Sequence, residues 1–327
     1  MTFDQPALDI LRIGSADGLA VEILPLGASV RSIRLGGGRS LALGAADLGL
    51  YGPANRSFLG ASIGRHANRI ADARFALGSE RFEVSANEPP HHLHGGTTGA
   101  WSRIWTVEEE SSDGVILSLL SRDGEDGYPG AAEMTAAFSI ENGDTLKIVY
   151  EGRVDRPSIL GMTSHLYFNL SGEASTQGHR IEIAADAYLP VGETLIPTGE
   201  VRPVDGTPFD FRAAKPLADG PDMLDHNFCF GRERHTEPQR LATLSSEAGG
   251  IALHVLSTEC GLQVYDGAKF DGTIEGLDGG PIQPHGGIAL EPQGWPDAPN
   301  RPDFPSARIE PGQTYRHTIL YRFQRLG

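Results

Sequence analysis

The sequence predicts an all-β fold, a large single-domain antiparallel β-sandwich, and three observations carry that prediction. The first is backbone punctuation: 42 glycines and 22 prolines fall within 327 residues. Each interior Gly costs a helix roughly 1 kcal/mol and each Pro roughly 3, whereas both serve turns between short strands. The second is a series of short segments of alternating polarity, each bounded by Gly, Asp, Asn or Pro. The third is a scarcity of helical patterns between them. Strands do not alternate with helices of about 10–15 residues, so a parallel α/β fold does not fit. No repeat of about 20–50 residues recurs, which removes a propeller.

The elements follow in order. Val21-Glu22-Ile23-Leu24-Pro25 leads into residues 28–35, which break at Gly36-Gly37-Gly38. Further strands are predicted at 114–121, 135–140, 146–154, 180–184, 251–257 and 262–265, each rich in Val, Ile, Leu or Tyr. Near the C-terminus, Tyr315, His317, Ile319, Tyr321 and Phe323 share one parity, with Arg316, Thr318 and Arg322 on the other. One short helix is predicted over 237–247. No Ser/Gly linker divides the chain, and the Pro-rich stretch 292–305 lies too near its end to separate two units. Residues 1–327 are therefore expected to form one domain.

Charge and cysteine content narrow the partners. Lys+Arg 27 against Asp+Glu 43 gives a net charge of −16, a field that repels nucleic acid and anionic membranes. The lysines are Lys147, Lys215 and Lys269, none in a motif that suggests a Schiff base. Cys229 and Cys260 make neither a disulfide framework nor a zinc site. The N-terminal MTFDQPALDILRIG lacks the basic and apolar regions of a secretory signal, and no apolar run approaches the roughly 18 residues of a membrane span. The expectation is a soluble cytoplasmic protein.

Three stretches concentrate polar groups beyond what turns require. In His91-His92-Leu93-His94-Gly95-Gly96, strand geometry would put His92 and His94 on one face, which suggests a metal site. The next residues, Thr97, Thr98, Gly99 and Ala100, supply no carboxylate to complete one. The alternatives are a structural turn, or binding or catalysis through one histidine. In Thr163–Gly172, His165, Tyr167 and Asn169 alternate with Leu166, Phe168 and Leu170, as in a strand with a core on one side and a polar cleft on the other. In Gly287–Asn300, an apolar run ends at Glu291, and Pro292 is expected to stop the ladder there, placing the carboxylate at a strand end. No G-x-S-x-G elbow, Walker A loop or H-E-x-x-H helix occurs. Gly36-Gly37-Gly38 lies between strands rather than opening a helix, so it is a poor phosphate cradle.

Together and in order, these stretches resemble the galactose mutarotase (aldose 1-epimerase) family. The resemblance rests on Gly64-Arg65-His66-Ala67-Asn68-Arg69-Ile70, His94-Gly95-Gly96, Ser164–Gly172, Asp225-His226-Asn227-Phe228, Leu262-Gln263-Val264-Tyr265 and Leu290–Asn300. It implies a galactose mutarotase-like supersandwich that interconverts the α and β anomers of a free aldose of galactose or glucose type. It also implies Glu291 as the base for the C1 hydroxyl, His165 as the acid for the ring oxygen, and His94 against the ring or C1 oxygens. Asn68, Arg69, Asp225 and Gln263 match residues that hold sugar hydroxyls or orient the catalytic pair. No metal or other cofactor is implied, and the expected partner is a monosaccharide, the chain acting as a monomer or homodimer.

At reference values Glu291 is an ionised base at pH 7 and His165 is mostly neutral, so its acid role is helped by neighbouring carboxylates that raise its pKa. Ser164 and Leu166 depart from the family's Asn and Ser at those positions. Both fall on the face opposite His165, so the expected consequence is altered packing. Trp295 is expected either to stack on the sugar or to anchor its loop. A non-catalytic carbohydrate-binding sandwich, and an epimerase for a sugar phosphate or uronic acid, are the alternatives. The latter needs an arginine cluster at the pocket rim, with Arg65, Arg69 and Arg74 as candidates.

Overall fold

A computed structural model describes residues 9–327; residues 1–8, within the stretch tested above for a signal peptide, lie outside the described residues. Two large antiparallel sheets dominate. The nine-stranded sheet runs in the order Lys215–Pro216, Arg180–Ile183, Gln239–Ser246, Ile251–Ser257, Tyr315–Arg325, Thr145–Val154, Ala132–Glu141, Gly114–Ser121, Thr106–Glu110. The six-stranded sheet runs Tyr167–Phe168, Ile288–Gln293, Gly261–Tyr265, Asp225–Cys229, Ala187–Tyr188, Arg202–Pro203. Among the described residues the helical elements are three-residue 3-10 turns only, and no helix is long and apolar enough to cross a membrane.

The alternation seen in the sequence is what lets the sheets pack. Ile288 and Leu290, Leu262 and Val264, and Phe228 point from the six-stranded sheet into one core with Ile148, Leu244, Leu253, Ile319 and Tyr321 of the other. Burying a side chain of this size contributes roughly 1.5–3 kcal/mol. Phe168 meets Tyr321 across the layers at 5.1 Å between ring centroids, and the Tyr321 hydroxyl donates to the Leu290 carbonyl at 3.1 Å. The opposite parity of the six-stranded sheet is thereby turned outward, into the cleft.

Two local expectations are corrected. Residues 237–247 are not helical, because Gln239–Ser246 is a strand between Arg180–Ile183 and Ile251–Ser257. Ala242, Leu244 and Ser246 are buried at period two after a bulge at Arg240–Ala242, so pairing on both sides overrides the local pattern. Pro292 does not end its strand, which continues to Gln293 opposite Gly261. The Pro292 carbonyl accepts from Thr163 Oγ1 on the side away from Gly261–Tyr265. A strand residue presents N and C=O to the same side, so the missing N–H removes no bond to that neighbour.

Candidate active site

Strand order and register assemble the cleft floor. Glu291 sits directly opposite Gln263, which sits opposite Asn227. Asp225, two residues before Asn227, shares its face. Glu291, Gln263 and Asp225, from three adjacent strands, therefore point the same way. Gln263 Nε2 donates to Asp225 Oδ1 at 2.6 Å. Tyr167, from the neighbouring edge strand, adds a ring to the wall and donates its hydroxyl to the Ser57 carbonyl at 3.1 Å.

His165 arrives from the linker between two short strands. Its backbone N–H donates to Ala61 O at 2.9 Å and its carbonyl accepts from Gly60 N–H at 3.0 Å. Its Nε2 stands 3.6 Å from Glu291 Oε1, with the two residues 4% and 2% exposed. Phe58, at 4.6 Å from the His94 ring and 5.8 Å from the His165 ring, walls this corner.

His94 is placed by the pairing of Arg69–Ile70 with His92–Leu93. The strand stops there: His94 has φ +52°, followed by Gly95 and Gly96 at +82° and +97°. A Cβ on Gly95 would lie 1.8 Å from the Gly64 carbonyl oxygen, so only glycine fits. His94 N–H donates to Asn68 O, and Asn68 N–H donates to His94 Nδ1, both at 3.1 Å. With Nδ1 accepting, the ring proton resides on Nε2, so His94 offers the cleft a donor.

That tautomer answers the metal question. Ligating atoms of His94, His165 and Glu291 lie within 4.8 Å of one another, a grouping that would suit a transition metal if each supplied a lone pair. Since His94 Nε2–H supplies none, the constellation is one of proton donors and acceptors. The other two histidines of the cluster face elsewhere. His91 Nδ1 accepts from Asp72 N–H, and His92 bonds the Ser85 carbonyl and the Tyr128 hydroxyl.

Arg69 lies along the cleft wall and grips Glu88 bidentately at 2.6 and 2.9 Å. Asn68, at φ +66°, has its Oδ1 on the Arg69 N–H, which fixes where that guanidinium starts. The seven residues to which the resemblance assigns a site role, Glu291, His165, His94, Asn68, Arg69, Asp225 and Gln263, thus line one cleft. Sequence reasoning gave no site role to Glu88, Phe58, Tyr265, Phe270, Arg56 and Lys269, which also line it. Glu88 sits in an Asn-Glu-Pro-Pro loop without periodicity, so nothing in the sequence signals its pairing with Arg69.

Several expectations are corrected. Asn169 does not face the cleft. Its Oδ1 accepts from the N–H groups of Ser171 and Gly172, and its Nδ2 donates to the Glu173 and Gly286 carbonyls. Trp295 is buried against Phe304 at 5.0 Å and donates to the Cys260 carbonyl, so it anchors its loop rather than stacking on a ligand. Arg65 is buried on the Gly130 and Pro129 carbonyls, and Arg74 pairs with Asp72 at the surface. The cluster proposed for an anionic substrate does not form.

The expected upward shift of the His165 pKa is reversed, and Glu291 departs from its reference value. Burial holds His165 down to about 4 and His94 well below the ordinary range, the latter aided by His165 and Arg69. Burial, aided by Asp225 and opposed by Arg69, pushes Glu291 well above the usual carboxylate range. Asp225 is raised by burial and opposed by Arg69 and Gln263. At 3.6 Å the His165–Glu291 pair is within ion-pair reach. Desolvation nevertheless biases both members toward their neutral forms, a carboxylic acid and a neutral imidazole.

The cleft floor of this two-layer β-sandwich thus opposes one buried histidine to one buried carboxylate. Comparison with known proteins gives the family: residues 9–322 match the model for aldose 1-epimerase, and the chain belongs to that family. It is 38% identical to mouse galactose mutarotase over 321 residues, covering 94% of this chain and 92% of that one. It is 34% identical to the aldose 1-epimerase of Escherichia coli over 330 residues, covering 96% and 94%. An aldose epimerase homologue from C. elegans superposes with a TM-score of 0.92 at 28% identity, over 98% of this chain and all of that one.

Proposed function

We propose that this single-domain chain is an aldose 1-epimerase that interconverts the anomers of a free galactose- or glucose-like aldose through Glu291 and His165. The observation that carries the reading is the 3.6 Å opposition of His165 Nε2 and Glu291 Oε1 on the cleft floor. Mutarotation acts on two oxygens bonded to the same carbon, so base and acid must stand close together. Glu291 takes the C1 hydroxyl proton while the C1–O bond to the ring oxygen breaks and a carbonyl forms. His165 delivers its proton to the departing ring oxygen. Rotation about C1–C2 and the reverse steps on the other face of the carbonyl complete the exchange. Two proton transfers accompany the breaking and re-forming of one C–O bond with no net change of oxidation state, so a base and an acid suffice for the chemistry.

The electrostatics fit a pair that shares one proton. A sugar hydroxyl donating to Glu291 favours its carboxylate, and Arg69 already opposes its protonation. The proton then sits on His165, the form needed to begin. Ring opening returns it to Glu291 and leaves His165 neutral, the form that burial favours. Around the pair, the His94 Nε2–H, Asn68, Arg69, Asp225 and Gln263 offer donors and acceptors to sugar hydroxyls.

Polarimetry of freshly dissolved α-galactose or α-glucose tests the reading. The native protein accelerates the approach to anomeric equilibrium, and His165→Asn slows turnover by at least about 10²-fold. Sugar binding without acceleration would instead describe a carbohydrate-binding module.

A further inference from the structure

A second constellation of polar groups, mostly buried, lies outside the lining of the cleft. Glu259 is 2% exposed, yet its Oε1 lies 2.7 Å from the half-exposed Arg234 guanidinium. That guanidinium sits 4.1 Å above the Tyr315 ring. The Tyr315 hydroxyl accepts from Met162 N–H at 2.8 Å and lies 3.2 Å from both Met162 O and Glu259 Oε1. Burial raises Glu259, but Arg234, His317 and the bonds from Arg234 and Tyr315 outweigh it and hold the carboxyl below its ordinary value. The single Tyr315 proton is therefore drawn to a carboxylate.

Every other proton in the group has one possible direction. Met162 O only accepts, so His317 carries its proton on Nδ1, 2.9 Å away. His317 Nε2 then accepts from Ser257 Oγ at 2.7 Å, and Ser257 Oγ accepts from Glu259 N–H at 3.0 Å. Both polar atoms of the Met162 backbone are thus gripped from one side. Met162 stands three residues before His165. Between them, Thr163 Oγ1 donates to the carbonyl of Pro292, the neighbour of Glu291, at 2.7 Å. His165 itself is held at both backbone atoms by Ala61 and Gly60.

An ion pair with one partner half-exposed contributes little to stability alone. What this one supplies is direction. We propose that Arg234, Glu259, Tyr315 and His317 are positioning residues that fix His165 opposite Glu291 through the backbone of Met162. The inference rests on the acid–base reading of that pair. Reacting groups displaced by about 1 Å can lose about 10² in rate, so the network matters to turnover more than to binding.

Tyr315→Phe and Glu259→Gln test it in polarimetric assays run in H2O and D2O. Each lowers kcat about tenfold with KM within about twofold of native, and the solvent isotope effect on kcat rises because proton delivery becomes more limiting. A merely structural lesion would reduce the folded fraction and leave KM and the isotope effect unchanged; that result overturns the proposal. Arg234→Met and Arg234→Lys, at a half-exposed position, cover the case in which the buried variants do not fold. Methionine reproduces the loss of kcat and lysine restores most of it. His165→Asn is measured in parallel. If it abolishes turnover while the network variants keep native kcat and isotope effect, positioning is refuted and the catalytic pair stands. If His165→Asn itself retains native turnover, the acid–base reading falls and the network's role falls with it.

Discussion

Replacing Glu291 by glutamine should move activity and stability in opposite directions. Glutamine keeps the shape and removes the proton acceptor, so kcat falls by at least about 10²-fold, or about 2.7 kcal/mol of transition-state stabilisation. Stability follows from burial. Glu291 Oε2 is buried without a hydrogen-bond partner, and the carboxyl's pKa is raised well above 4.5 in the fold. A raised folded pKa means the native state holds its proton more tightly than the unfolded chain. The stabilisation is complete below the unfolded value near 4.5 and is lost as pH rises through the folded one. As pH rises above the unfolded value, the native protein bears the growing cost of a buried carboxyl that resists ionisation and has no partner if ionised, a cost that glutamine relieves by roughly 1–3 kcal/mol at pH 8. Urea unfolding at pH 4 and pH 8, alongside polarimetry, measures both effects. Glu291→Gln should be more stable than native at pH 8, with the gain shrinking toward pH 4. A variant that turns over within about tenfold of native, or that is less stable at pH 8 than at pH 4 relative to native, refutes the reasoning.

Three further outcomes are expected. The kcat/KM profile should fall on the acid side near pH 4, where His165 gains a proton while Glu291 still holds one and no base remains. It should fall again on the alkaline side as Glu291 ionises with His165 neutral and no acid remains; an acid limb at the unshifted 6.5 would contradict this. Arg69→Lys keeps the charge but loses the two-pronged grip on Glu88, so KM rises roughly tenfold with the pH limbs unmoved. Arg69→Gln also shifts the alkaline limb upward, because Arg69 opposes protonation of Glu291. Trp295→Ala should cost roughly 3–5 kcal/mol in denaturant unfolding and leave KM unchanged, since the ring packs in the core; a raised KM would restore the stacking role.

The parts of this protein legible in the sequence are those set by period two. Alternation alone puts Leu166, Phe168 and Leu170 in the core with His165 and Tyr167 opposite, and the C-terminal row from Tyr315 to Phe323 is buried as read. The resemblance supplied the cleft residues, because Glu291, Gln263 and Asp225 meet only through a register between strands far apart in the chain. What stayed hidden depends on tertiary context. Gln239–Ser246 becomes a strand because it is paired on both sides. Asn169 has the parity of His165, but its amide closes a turn. The direction of the His165 and Glu291 shifts is set by burial, which no local pattern reports. The Arg234–Glu259–Tyr315 group joins residues whose sequence neighbours carry no motif.

The roles of the catalytic pair are tested most directly by a crystal structure with a monosaccharide bound in the cleft. The account places the C1 hydroxyl oxygen within hydrogen-bond reach of Glu291 and the ring oxygen within reach of His165, with His94 donating from Nε2 to one of them. A sugar bound with its anomeric carbon away from the pair, or with the ring oxygen on Glu291 and the C1 hydroxyl on His165, would contradict it.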